Sequence, residues 1–75
     1  MKGIADTGFL VAFANRNDRH HEWAVSIARG VTEPLLTCEA VLAETAFHLR
    51  DAAVVIAMVE DGLVTVAFSF AEQLT

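Results

Sequence analysis

Apolar residues in this chain fall into short runs, each closed by a polar cluster or a glycine, and the spacing within a run sets the element it predicts. Lys2-Gly3-Ile4-Ala5 is short, mostly apolar and ends at Asp6, as in a buried parallel strand whose carboxyl end carries a functional group. Thr7 is placed to cap a helix over Phe9 to Ala14, closed by Asn15-Arg16-Asn17-Asp18. Asp18 is then the N-cap of a second helix, in which Trp23 and Ile27 recur at i, i+4 beside Ala24 and Ala28, and Gly30 ends it. This pattern predicts an amphipathic helix with Trp23 and Ile27 in the core.

Pro34-Leu35-Leu36 reads as a second strand, and Thr37 as the cap of a third helix. Val41, Leu42, Thr45, Ala46 and Leu49 share one face of that helix. Glu44 falls at the margin of this face and is expected to be half-buried. Ala52 to Val59 is apolar on every side, so as a helix it is buried all round or pressed against a second subunit, with Gly62 as its C′ residue. Leu63 to Phe68 reads as a third strand, and Ser69-Phe70-Ala71-Glu72 matches a capping box that opens another helix. A competing parse makes β-branched Val54-Val55-Ile56 one arm of a hairpin with Leu63 to Phe68, turning at Glu60-Asp61-Gly62. The first parse alternates strands with helices, the order of an α/β fold with a parallel sheet and right-handed crossovers.

Composition narrows the picture. Seventy-five residues suffice for one small core, so residues 1–75 are expected to form a single domain. Yet 55% of them are hydrophobic, more than so small an interior hides, and the surplus points to self-association or another protein partner. The net charge is −5, and Lys2, Arg16, Arg19, Arg29 and Arg50 are the basic residues. That balance argues against binding nucleic acid through a general basic surface, so a nucleic-acid substrate would need divalent cations to offset the carboxylates. A lone Cys38 permits no intrachain disulfide, Asp6 interrupts any signal-peptide core, and no apolar run approaches a membrane span. These features lead to the expectation of a soluble, cytoplasmic protein.

The candidate chemistry is carboxylate chemistry. Asp6 is either a metal ligand at a strand end or merely the cap of the following helix. Glu44 is either its partner or a solvated helix carboxylate, and His48, one turn on, either reaches it or, the favoured reading, is an ordinary surface or core-edge histidine. His20 and His21 point about 100° apart on a helix, which favours a structural or polar role over a shared ion. Cys38 lacks neighbours at zinc-ligand spacing, and Phe47 lies off the apolar stripe of its helix, where a subunit contact is conceivable.

Three segments together carry a resemblance: Ile4-Ala5-Asp6-Thr7-Gly8-Phe9-Leu10-Val11-Ala12, His20-His21-Glu22-Trp23-Ala24, and Leu35-Leu36-Thr37-Cys38-Glu39-Ala40-Val41-Leu42-Ala43-Glu44. They resemble the N-terminal portion of PIN-domain ribonucleases of the VapC toxin type, from Ile4 to Leu49 and more loosely to Ser69. The resemblance implies a three-layer α/β/α fold with a short parallel sheet, here C-terminally truncated. It implies RNA cleavage with Mg²⁺ or Mn²⁺, with Asp6 and Glu44 as catalytic metal ligands and Thr7 orienting a carboxylate or bound water behind them. It also implies a homodimer and an antitoxin protein as partners.

The family's later aspartates belong to a following helix and strand that these residues do not include, so weak metal binding and poor activity are expected. The alternative is a non-catalytic remnant that serves as a dimerisation or antitoxin-binding module. Asp6-Thr7-Gly8 also resembles the catalytic triplet of dimeric aspartic proteases, but the helical signals around Trp23 and Val41 oppose that nearly all-strand fold.

Overall fold

Parallel pairing of three short segments organises the fold. The structure, a computed structural model, describes residues 3–68. At its N-terminal end Ile4 forms a parallel bridge with Leu36; the Leu36 amide donates to the Gly3 carbonyl at 2.8 Å and the Ala5 amide to the Leu36 carbonyl at 2.7 Å. Strand β1 (Leu35–Cys38) also pairs in parallel with β2 (Val64–Phe68), in the register Leu35 to Val64, Leu36 to Thr65 and Thr37 to Val66. The register shifts between Thr37 and Cys38. β1 thus lies between the N-terminal segment and β2, with helices in each connection, as parallel neighbours require.

Helix α1 (Thr7–Ala14) packs against α2 (His21–Arg29) and α3 (Glu39–Leu49), and α3 packs against α4 (Ala52–Glu60), which leans on β2. Leu10 and Val64 are fully buried, with Ala5, Phe9, Ala12, Ala24 and Met58 around them. The fold class is α/β with a short parallel sheet, as the alternation of runs predicts. Val54–Ile56 lies inside α4, and β2 pairs in parallel with β1, so the hairpin parse is overturned. The proposed helix opening at Ser69 lies outside the described residues.

Several caps differ from expectation. Asp6, not Thr7, is the N-cap of α1: its Oδ1 accepts from the Phe9 amide at 2.8 Å and Thr7 is already helical. An aspartate placed one residue earlier competes well for this role, because its carboxylate also complements the helix dipole. Thr37 is not a cap either. It stays in β1, buried, and its hydroxyl donates to the Ala5 carbonyl at 3.3 Å, binding the two segments side to side. Asp18 stands before α2 rather than at its N-cap, His20, and accepts the His20 amide at 2.8 Å.

The largest packing correction concerns Trp23 and Ile27, which are 57% and 45% exposed. Ala24 of α2 is fully buried, and the almost fully buried Ala12 of α1 carries the carbonyl that receives Nδ1 of His21 at 2.8 Å. Small residues at this contact let the two backbones approach, and the indole is left at the rim.

Two left-handed residues close α3 and α4. Gly62 (φ 80°) ends α4 in a Schellman arrangement, its amide donating to Val59 O and that of Leu63 to Met58 O. Arg50 (φ 54°) closes α3 in the same way, donating to Phe47 O while the Asp51 amide donates to Ala46 O. A Cβ at Gly62 would meet nothing within 4 Å, so only backbone strain opposes it. Gly62→Ala should therefore destabilise by about 1 kcal/mol and Arg50→Gly stabilise by up to about the same amount, opposite shifts that urea denaturation midpoints will show.

Candidate functional site

The first parallel segment ends at Asp6, and the geometry there follows from the cap. Oδ1 is engaged by the Phe9 amide, while the residue as a whole is exposed. A carboxylate has two oxygens and about four acceptor positions, so capping through Oδ1 leaves Oδ2 for a ligand. Capping and ligation, alternatives in the sequence, are compatible in the structure. Asp6 lines an open cleft of about 460 Å³ with Gly8, Phe9, Ala12, His20 and Trp23, drawn from α1, α2 and the loop before α2.

That loop is itself ordered by hydrogen bonds. Asn15 Oδ1 accepts the Asn17 amide, the Asp18 amide donates to Asn15 O, and the His21 amide donates to Asp18 O. Arg19 Nε donates to His20 Nε2 at 3.3 Å, which in a neutral ring leaves the proton on Nδ1. His21 takes the structural role foreseen for it, since a carbonyl can only accept and its Nδ1–H therefore holds α2 to α1.

Glu44 stands on α3, which packs against α1. The anticipated inward face of α3 is confirmed: Thr45 is buried, and Val41, Leu42, Ala46 and Leu49 are half-buried. Glu44 is not half-buried, however; its side chain is 61% exposed, with His48 Nε2 at 3.9 Å from Oε1. On the helical wheel it sits roughly 130° from the centre of the packed face, too far to be drawn under its edge. Glu44 does not line the cleft that Asp6 lines. Thr7 is half-buried in the first turn of α1, directly after Asp6. Cys38 is half-buried where β1 passes into α3.

A family model described as PIN domain matches residues 4–72. The chain belongs to the PIN domain family. No curated protein and no solved structure matches it. PIN domains are in general nucleases that act with divalent metals, which makes nuclease the coarse class of this chain and nucleic acid the coarse class of its partner.

The donor set can be tested against that class. Asp6 and Glu44 offer hard oxygen donors of the kind Mg²⁺ and Mn²⁺ prefer. Among the described residues no three His, Cys, Asp or Glu side chains group closely enough to enclose an ion. The donor chemistry therefore fits one cation that retains most of its water, which one or two carboxylates can hold. Among those residues, too, no helix is long and apolar enough to cross a membrane.

Sequence reasoning missed His20 and Trp23 as neighbours of Asp6. Helical spacing assigned Trp23 to the core, and only the tight alanine contact between α1 and α2 turns it outward. The signal available in the sequence was Ala24 itself, whose small side chain marks where a close helix contact forms.

Proposed function

We propose that this PIN domain is a VapC-type toxin and the N-terminal portion of a metal-dependent endoribonuclease, acting in the cytoplasm on RNA phosphodiester bonds. The observation that carries the reading is Asp6, at the carboxyl end of the first parallel segment, with one carboxylate oxygen uncommitted among the described residues beside an open cleft. Open α/β sheets bind ligands at the carboxyl ends of their strands.

In this reading Asp6 and Glu44 are the catalytic metal ligands, Thr7 orients a carboxylate or a bound water, and further acids outside these 75 residues complete the site. Mg²⁺ or Mn²⁺, when bound, lowers the pKa of water and stabilises charge on the phosphoryl oxygens. The chain's own contribution is to hold Asp6 at a fixed point: the Phe9 amide anchors Oδ1, and the Ala5 carbonyl, immediately before it, receives the Thr37 hydroxyl. Thr37 is thus a positioning residue, fixing the end of the segment that bears the ligand. His48 Nε2 stands 3.9 Å from Glu44 Oε1, an exposed pair one helical turn apart.

The proposal is tested by Mn²⁺ titration of the wild type, Asp6→Asn and Glu44→Gln, followed by electron paramagnetic resonance. Saturable binding, weak in the wild type and lost in both variants, is expected. Binding unchanged by either substitution would remove the assigned roles.

A second reading, a non-catalytic module for dimerisation or antitoxin binding, rests on a different observation. Phe47 of α3 is 79% exposed, and Ile56 and Val59 of α4 are 56% and 39% exposed, which fits the subunit-facing alternative foreseen for the all-apolar helix. The two readings share a homodimer and an antitoxin partner and differ in RNA cleavage. A stable oligomer in sedimentation with no cleavage at any Mn²⁺ concentration favours the module.

A further inference from the structure

The cleft beside Asp6 contains more than a carboxylate. Trp23 is more than half exposed, and its ring stands at 83° to that of Phe9, with centroids 6.0 Å apart. In a perpendicular pair either the edge of Phe9 meets one face of the indole or the indole's edge meets Phe9. In both cases at least one broad face of Trp23 has no Phe9 ring against it. Phe9 in turn lies nearly parallel to Phe13, at 21° and 6.4 Å, which braces it from within α1. The indole is therefore held at the rim by a buried aromatic, with a flat apolar face available.

The surroundings narrow what fits that face. The cleft's volume, about 460 Å³, is in the range of small-ligand sites. Apart from Asp6, whose free oxygen the nuclease reading gives to a cation, and His20, the lining is Gly8, Phe9, Ala12 and Trp23, which suits a flat ring. The loop leading to the cleft carries Arg16 and Arg19 against one acid, Asp18, and Arg19 Nε hydrogen-bonds His20, a lining residue. Arg19, tied to the lining through His20, thus offers a cation to a phosphate outside, and the aromatic lining a place for a flat ring inside, the arrangement of a nucleotide within a strand.

We infer that this cleft is a base-binding subsite for single-stranded RNA, in which one nucleobase stacks on Trp23 while a flanking phosphate lies toward Arg19. The inference rests on the nuclease reading and deepens it, assigning to α2 the task of gripping the strand next to Asp6. Stacking accepts any base, so Trp23 supplies strand affinity and a preference for unpaired RNA rather than base identity.

Trp23 is the chain's one tryptophan, so its fluorescence reports the site directly. The experiment titrates the protein with a 2′-O-methyl oligouridine octamer at low salt, in EDTA and then in Mg²⁺. Controls are an octamer of equal charge lacking bases and a blunt duplex of the same length. Quenching by oligouridine but by neither control is the expected result; equal responses to oligouridine and the abasic octamer, or none to either, overturn the inference.

Binding of labelled oligouridine, followed by anisotropy, should weaken about 5- to 150-fold in Trp23→Ala and be largely retained in Trp23→Phe. Unchanged affinity in Trp23→Ala also overturns it. If the alanine variant does not fold, the wild-type quenching and the phenylalanine variant decide. Mn²⁺ titration of RNA-free protein separates the two readings. Base-dependent quenching without Mn²⁺ binding upholds the subsite and removes the metal assignment, whereas Mn²⁺ binding without quenching does the reverse.

Discussion

Asp6→Asn abolishes Mn²⁺ binding and any RNA cleavage while leaving the fold almost as stable as the wild type; this is the first expected result. Asparagine caps helices about as well as aspartate, so the hydrogen bond from the Phe9 amide survives. The loss of charge at the N-terminus of α1 costs under about 1 kcal/mol. The neutral amide is a far poorer ligand for a hard cation. Substituting a residue that only hydrogen-bonds a metal ligand typically costs about 10- to 100-fold in metal affinity, so loss of a direct ligand should exceed about 100-fold.

Asp6→Ala removes both functions and should add a stability loss of about 1 kcal/mol from the missing cap. Paired measurements, isothermal titration with Mn²⁺ and urea denaturation, separate the roles. Equal Mn²⁺ affinity in wild type and Asp6→Asn would leave Asp6 a helix cap and nothing more.

Leu10→Ala carries the largest expected effect on stability. Leu10 of α1 is fully buried, with Ala5, Phe9, Ala12 and Val64 in the same core cluster. Removing its branched end forfeits apolar burial and leaves a cavity, a combined cost of about 2–5 kcal/mol. A chain of this length has a total stability of roughly 4–11 kcal/mol at ordinary values per residue. The substitution should therefore remove a large part of it, lowering the urea midpoint with little change in slope. A shift under about 1 kcal/mol would show that Leu10 sits in a looser environment than its burial implies.

The elements were legible where local rules act alone. Gly62 was readable as a C′ residue because a left-handed backbone strongly favours glycine. Arg50 adopts the same conformation with no such sign, because the tight passage from α3 into the Asp51-capped α4 imposes it. The inward face of α3 followed from its 3.6-residue period. Periodicity failed for α2, where it put the largest apolar side chains in the core and the structure put Ala24 there. Which side of a helix is buried depends on the shape of the neighbour as well as on hydropathy, and α1 presents a surface that a small residue fits best.

By itself, then, the sequence determined the order of the helices and of the two strands and the parallel class of the sheet, since each follows from run length and periodicity; the strand expected before Asp6 is a single bridge at Ile4. Only the tertiary structure decided that Asp6 caps α1 through one of its two oxygens, that Glu44 is largely exposed, and that Trp23 lines the same cleft as the acid. Those three depend on how closely one helix approaches the next, a distance set by side-chain volumes on two elements at once and therefore written in no single segment of the chain.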